Sequence, residues 1–429
     1  MIKNLLTIAA LAITFNLSAQ DWAVKQAPLM TQWGEKLTVE NAHREYPRPQ
    51  MVRSQWMNLN GLWNYAVTSK DAAQPENISQ GKILVPFAIE SALSGVQQKF
   101  TPEDKLWYQT EFTVPKSWKG KRIVLHFGAV DYSSVIYVNG ARVGAHRGSS
   151  DAFRFDVTDY LKGSGPQKLV VEVTDPTDTG FQPLGKQKLD PSGIYYTPVS
   201  GIWKTVWMEP VPESHIYSMK GYADIDNSQY KFTPILDRTA KGQSVRVTVF
   251  DNGVKVATAV GQPNKEIVIK IDDQKLWSPE SPFLYDMKVE LLRGSKVIDA
   301  VDTYFGMRKI STGRDSNGNL ALMLNNKPYF HTGLLDQGWW PDGLLTPPSD
   351  EALVYDIEFA KKAGFNTLRK HIKQESDRFY YHCDRLGMLV WQDAVASKDT
   401  RWWSKTRQEP VLTEYETQTF IHEFKNMVD

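Results

Sequence analysis

Tyr329-Phe-His-Thr-Gly-Leu-Leu-Asp336, Asn366-Thr-Leu-Arg-Lys-His371 and Met388-Leu-Val-Trp-Gln-Asp393 read as three short strands, and the stretches between them carry helical spacing. Ser349 ahead of Asp350 and Glu351 is an N-terminal helix signal that sets Leu353, Ile357 and Ala360 on one face until Gly364. A second helix is expected from Glu375 to Leu386 with Gly387 as its stop, and a third over about Leu412 to Val428. Strands joined this way become parallel neighbours, because the crossover is right-handed. A parallel sheet needs cover on both faces or closure into a barrel. Three strands cannot close, so the expectation is an incomplete (β/α)8 barrel over residues 313–429, with strands still to come beyond Asp429.

Upstream, the apolar period drops to two. Arg122-Ile-Val-Leu-His-Phe127, Val135-Ile-Tyr-Val138, Leu169-Val-Val-Glu-Val173 and Thr205-Val-Trp-Met-Glu209 give strands at sandwich spacing. Asn139-Gly140 suits a type I′ hairpin, since both residues tolerate positive φ. A second all-β stretch, 212–312, includes Val245-Arg-Val-Thr-Val-Phe250, the Asp251-Asn-Gly253 turn, Glu266-Ile-Val-Ile-Lys270 and Tyr285-Asp-Met-Lys-Val-Glu-Leu291, and its length fits one immunoglobulin-like sandwich. Asp315-Ser-Asn-Gly-Asn319 resembles the start of a calcium loop, but it has no distal glutamate and a hairpin turn suffices.

A chain of 429 residues at 41% hydrophobic is too long for one ordinary domain and implies two or three. Fifty Lys plus Arg against forty-nine Asp plus Glu, with no long run of one sign, gives neither nucleic acid nor an anionic membrane a reason to bind. Fourteen Trp, eighteen Tyr and eighteen Phe supply flat faces that pack sandwich cores and also stack on sugar rings. Lys3, the apolar run Leu5 to Phe15 and Leu17-Ser-Ala19 make residues 1–19 a signal peptide, too short to span a bilayer, so the mature protein is expected in the periplasm or outside the cell. One cysteine, Cys383, excludes an intrachain disulfide and reads as a packed thiol. The eight His are scattered, and HExxH, GxSxG, Walker and Rossmann motifs are absent, so neither metal nor cofactor is expected.

Several motifs in order carry a resemblance. Leu59-Asn-Gly-Leu-Trp-Asn-Tyr65, Val85-Pro-Phe-Ala-Ile-Glu-Ser-Ala-Leu-Ser-Gly95, Leu106-Trp-Tyr108, His126-Phe-Gly-Ala-Val-Asp-Tyr132 through Val138-Asn-Gly140, Gly201-Ile-Trp-Lys-Thr-Val-Trp207, Leu276-Trp-Ser-Pro-Glu-Ser-Pro282, Tyr304-Phe-Gly-Met-Arg-Lys-Ile310 and Asn325-Asn-Lys-Pro328 resemble glycoside hydrolase family 2, the family of β-galactosidases, β-glucuronidases and β-mannosidases. The resemblance implies a jelly-roll sugar-binding-like domain (20–211), the immunoglobulin-like domain (212–312) and a catalytic (β/α)8 barrel. It also implies a retaining β-glycosidase, β-galactosidase-like, working on an oligosaccharide or glycoconjugate. Such an enzyme uses two carboxyl groups about 5–5.5 Å apart. The family places them after the fourth and seventh barrel strands, so no catalytic residue is assigned in this chain and the 429 residues are expected to be inactive alone.

The substrate-binding candidates stand at strand ends. Arg369 and His371 share a face at i and i+2, where a forked donor and an imidazole can meet sugar oxygens. Asp336 and Asp393 end the first and third strands, and the pair could instead face one another as an acid and a base. Trp339, Trp340, Trp402 and Trp403 offer indoles in the following loops. Many galactosidases and glucuronidases carry Arg, two small residues, then His-Tyr-Pro, where this chain reads Arg369-Lys-His-Ile-Lys373. The competing reading is a non-catalytic carbohydrate-binding or adhesion protein. The oligomeric state is not legible.

Overall fold

The structure is a computed structural model that describes residues 22–396 and 413–428. Residues 1–19, where a signal peptide is expected, and the Trp402-Trp403 pair lie outside the described residues.

Alternating burial builds the first unit. A six-stranded antiparallel sheet runs in the order Gly81–Val85, Gly61–Ser69, Asp104–Phe112, Gln167–Thr174, Ser133–Val138 and Ala141–Arg147. It faces a four-stranded sheet of Met57–Asn58, Val206–Val211, Arg122–Phe127 and Phe153–Asp156. Leu169, Val171 and Val173 point inward with Trp63, Tyr108, Leu125, Phe127 and Met208 to form one core. Each fully buried side chain of this size contributes about 1.5–3 kcal/mol. The Asn139-Gly140 hairpin turns with both φ angles positive, 53° and 85°.

The second unit pairs a three-stranded sheet (Ile216–Asp224, Gln229–Leu236, Ile267–Lys270) with a four-stranded one in the order Val254–Gly261, Gln243–Asp251, Tyr285–Arg293, Lys296–Phe305. Val245, Val247, Val249, Val289 and Leu291 fill its core, and Tyr230 stacks on Phe305 at 3.9 Å. Two expected boundaries shift. Met51 joins this second core and Val52 bridges Asp302, so part of the segment before Trp56 serves the second sandwich. Residue 312 falls inside Ile310–Arg314, which pairs with Leu320–Leu324 in a separate hairpin and therefore cannot be cut from it. The Asp315 turn of that hairpin is closed by its own carboxylate, which accepts the N–H groups of Asn317 and Asn319.

Charge joins the two sandwiches. Arg53, only 6% exposed, pairs with Asp299 of the second unit and with Glu209 of the first, and its Nη2 donates to the Ile216 carbonyl at 2.8 Å. Glu209 also meets Arg48 and His126, each at 3.1 Å. Burial raises the Glu209 carboxyl, but the Arg48, His126 and Arg53 charges outweigh it and hold it well below the ordinary carboxylate range.

The chain then turns parallel. Gly333–Asp336, Thr367–Lys370 and Leu389–Gln392 form a three-stranded parallel sheet, with helix α1 (Asp350–Lys362) and helix α2 (Asp377–Leu386) as crossovers. The first strand is four residues rather than eight, because Lys327–Pro328 and the Tyr329 N–H are spent on pairing with Leu322–Leu324. Ser349 Oγ accepts the Ala352 N–H at the start of α1, and Gly387, at φ 77°, ends α2 with its N–H on the Cys383 carbonyl. Helix α2 starts two residues later than expected, because Glu375 is drawn into a buried cluster of charges. Helix α3 spans Glu414–Val428. Asp384 of α2 binds Arg308, Tyr304 and, through its carbonyl, Trp277 of the second unit, which anchors the parallel sheet to the sandwiches. Among the described residues no helix is long and apolar enough to cross a membrane.

Truncating Arg53 to Ala should leave Asp299 buried without a cation and cost about 3–5 kcal/mol in urea unfolding. A loss below about 1 kcal/mol would show that water replaces the pair.

Candidate functional site

Strand alternation divides the parallel sheet into two faces. Leu334, Leu368 and Val390 lie in register and face the helices, where they join Ala352, Ile357, Phe379 and Cys383 in one cluster. The next register positions, Leu335, Arg369 and Trp391, face the other way. That face is open: Leu335 and Trp391 are 55% and 49% exposed, and the Arg369 side chain 52%.

At the C-terminal end of the open face three candidates meet. Arg369 forks onto Asp393, Nε to Oδ1 at 3.2 Å and Nη2 to Oδ2 at 2.9 Å, while His371 Nδ1 lies 2.7 Å from Oδ2. Burial pushes the Asp393 carboxyl up, but the bonds from Arg369 and His371 prevail and hold it below its ordinary value. The Arg369 guanidinium is raised in turn by its bond to Asp393. The chemistry this arrangement offers is hydrogen bonding to a polyol: the guanidinium N–H groups that Asp393 does not take, the outer edge of an imidazole and a carboxylate acceptor at one rim.

Asp336 belongs to the other face. Its Oδ2 accepts Lys370 Nζ at 2.6 Å and its Oδ1 the Gly338 N–H at 2.8 Å. The expectation that Asp336 binds substrate beside Asp393, or pairs with it as an acid and a base, is corrected: alternation sends the two carboxylates to opposite faces, and Asp336 is consumed by a buried lysine. Trp340 is 7% exposed and packs edge-on against Trp33 under α1, so it cannot stack on a sugar. Trp339 is half-buried with one face covered by Tyr196 at 4.3 Å.

Sequence reasoning missed the residues beneath the rim. Lys370 and Lys373 are both 1% exposed and share Glu375 Oε1 at 3.0 and 2.7 Å, and Lys373 also donates to the Gly338 carbonyl at 2.8 Å. Burial raises Glu375, but the charges of Lys370 and Lys373 overcome it and bring the carboxyl to about 2. Gly338, at φ 60°, has no room for a side chain, since a Cβ there would lie 2.4 Å from Glu375 Oε1. The spacing Lys-x-x-Lys-x-Glu was visible, but alternation alone did not say that the charges face inward.

A second missed cluster sits in the first sandwich. Glu90, Asp131 and Asp175 are at least nine-tenths buried and are bridged by neutral donors: Ser200 N–H to Glu90 (2.9 Å), Ser200 Oγ to Asp175 (2.7 Å) and Gln187 to Asp131 (3.1 Å). Burial, reinforced by Asp175 and only partly offset by Ser200, pushes Glu90 up to about 8. Burial also raises Asp175 to about 6 against its bonds from Ser200 and Thr177, and burial with the Asp175 charge raises Asp131. The segment between Asp175 and Ser200 reaches the parallel sheet: Leu184 and Gly185 both donate to the Ala396 carbonyl, just past the third strand, at 3.0 Å.

Comparison with known proteins shows the same division. The family described as "Glycosyl hydrolases family 2, sugar binding domain" matches residues 56–208, and "Glycosyl hydrolases family 2" matches 224–308. A β-galactosidase of Thermoanaerobacter pseudethanolicus is 27% identical over 308 residues, covering 67% of this chain and 39% of its own length. A putative β-glucuronidase of Formosa agariphila is 28% identical, covering 74% and 38%, and a β-glucuronidase of Streptococcus agalactiae is 24% identical, covering 82% and 59%. This chain thus spans between about two fifths and three fifths of these relatives. Among solved structures, a β-glucuronidase of Ruminococcus gnavus superposes with a TM-score of 0.72 at 19% identity, over 91% of this chain and 67% of that one, which is a likeness of fold.

Replacing Glu375 by Gln should leave buried Lys373 without a carboxylate and Lys370 with Asp336 alone, at a cost of about 3–5 kcal/mol measured by chemical denaturation. A change under about 1 kcal/mol would mean that Asp336 alone suffices for both. The carboxyl cluster sets a pH dependence. Folded Glu90 keeps a proton that the unfolded chain releases near 4.5, so stability should fall as pH rises from 4.5 to about 8, and Asp175 adds a fall between 3.8 and about 6. Glu90→Gln should flatten the upper part of that slope, and identical slopes in the two proteins would show that Glu90 titrates normally.

Proposed function

Because this chain belongs to glycoside hydrolase family 2, we propose that it supplies the two sandwiches and the first strands of an exported retaining β-glycosidase. Its substrates in this reading are terminal β-linked sugars, β-galactosides foremost, of oligosaccharides or glycoconjugates. The observation that carries the reading is the one-sided parallel sheet: helices cover one face, and the row Leu335, Arg369, Trp391 is open on the other. Such a row suits the inner wall of a (β/α)8 barrel, whose active site stands at the C-terminal ends of its strands. Arg369, His371 and Asp393 gather at that end.

Retaining hydrolysis needs one carboxyl group that protonates the leaving oxygen and then activates water, and a second that attacks the anomeric carbon. Asp336 and Asp393 are each committed to a cation and point to opposite faces, so neither suits the pair. In this proposal later barrel strands supply both carboxylates, and Arg369 with His371 holds the sugar. The β-galactosidases and β-glucuronidases among the relatives support the substrate class. Export rests on the leader pattern of residues 1–19.

A panel of nitrophenyl β-galactoside, β-glucuronide and β-mannoside tests the proposal. The 429-residue chain should be inactive, and the longest product of its reading frame should cleave the galactoside fastest. Turnover by the 429 residues alone would overturn the placement of the carboxylates, and inactivity of both proteins would favour the carbohydrate-binding reading.

A further inference from the structure

The Asp393 carboxylate decides what its neighbour can offer. Three contacts hold it: the two-nitrogen fork of Arg369, His371 Nδ1 at 2.7 Å, and its own backbone N–H on the Lys370 carbonyl at 3.0 Å. An ionised carboxylate has no proton to give, so the bond to His371 requires the proton on Nδ1. The His371 backbone is fixed as well, its N–H donating to the Asp336 carbonyl at 2.9 Å. In the neutral ring a proton on Nδ1 leaves a lone pair on Nε2. Among the described residues Nε2 makes no hydrogen bond and is not a buried orphan, so it is open at the rim.

We propose that Asp393, clamped by Arg369, is a positioning residue that locks His371 in its Nδ1–H form, so that Nε2 accepts a hydrogen bond from a sugar hydroxyl. The inference rests on the glycosidase reading and narrows its substrate. The sugar atom that meets His371 is a hydroxyl oxygen and not a carboxylate, because a carboxylate would face a lone pair with the Asp393 charge behind it. Arg369, the cation beside His371, is already neutralised by Asp393, while Lys370 and the Asp336 carboxylate lie on the opposite face. The structure therefore points to a neutral glycoside in preference to a uronide at this position.

The tautomer can be read without activity. Protein labelled with ¹⁵N-histidine, with His371 assigned through His371→Gln, should show a protonated Nδ1 and a pyridine-type Nε2 at a pH where the ring is neutral. The Asp393→Ala variant, which removes the acceptor and is checked for an unchanged fold by circular dichroism, should lose that bias. Methyl β-D-galactopyranoside should move the Nε2 resonance. One of its monodeoxy analogues should bind about tenfold more weakly and leave Nε2 in place, as should methyl β-D-glucuronide. A protonated Nε2 in the wild type, or a tautomer unchanged in Asp393→Ala, overturns the positioning role and leaves the glycosidase reading intact. A correct tautomer with an unmoved Nε2, in protein that calorimetry shows to bind the galactoside, overturns the hydroxyl contact alone, whereas no binding of any glycoside overturns the glycosidase reading. A stronger response to the glucuronide than to the galactoside overturns the substrate preference.

Discussion

Two lysines buried at the end of a β-strand set the terms for everything around them. Lys370 and Lys373 are removed from water almost completely, and each would be prohibitive there without a carboxylate. Asp336 from the first strand and Glu375 from the loop before α2 answer them. Meeting that demand draws the first and second loops together, requires glycine at 338 and delays the start of α2. It also removes Asp336 from the open face. Alternation then leaves Arg369 and His371 with one acidic partner, Asp393, on the side where a ligand can reach them.

The sandwiches do more than carry the sheet. The segment from Asp175 to Ser200 leaves the first sandwich and comes to rest on Ala396, so the rim is built partly from a β unit far away in sequence. Its root is a cluster of acids bridged by Ser200 and Gln187 rather than by cations, where burial raises the proton affinity of all three carboxyls. The Glu209 and Asp384 networks work the other way, with carboxylates paired to arginine at the junctions between units. One chain thus uses ion pairs where units must be locked and carboxyls bridged by uncharged donors where a loop is tethered.

Legibility tracked the range of the forces. Ser349 and Gly387 marked helix ends in the sequence because capping is satisfied within one turn. The strand Arg122–Phe127 was readable from its apolar content and turn-bounded length. The first parallel strand was overextended, because nothing local says that Tyr329 belongs to the preceding hairpin. The cut at 312 failed for the same reason, since Ile310–Arg314 takes its partner from Leu320–Leu324 regardless of where the composition changes. At the site, Arg369 and His371 were found through the period of two, whereas Trp340 was misjudged because an indole that stacks on a sugar and one that fills a core read alike.

By itself the sequence determined the order of the elements, the two sandwiches ahead of a parallel βα unit, and the family to which they belong. These rest on periodicity, caps and turns, whose physics spans a few residues. Only the tertiary structure decided which charged groups would be neutralised and which left to the solvent. The partner of Asp336 comes from another strand and that of Glu90 from another loop, and the cost of burying an ion depends on who is nearby in space.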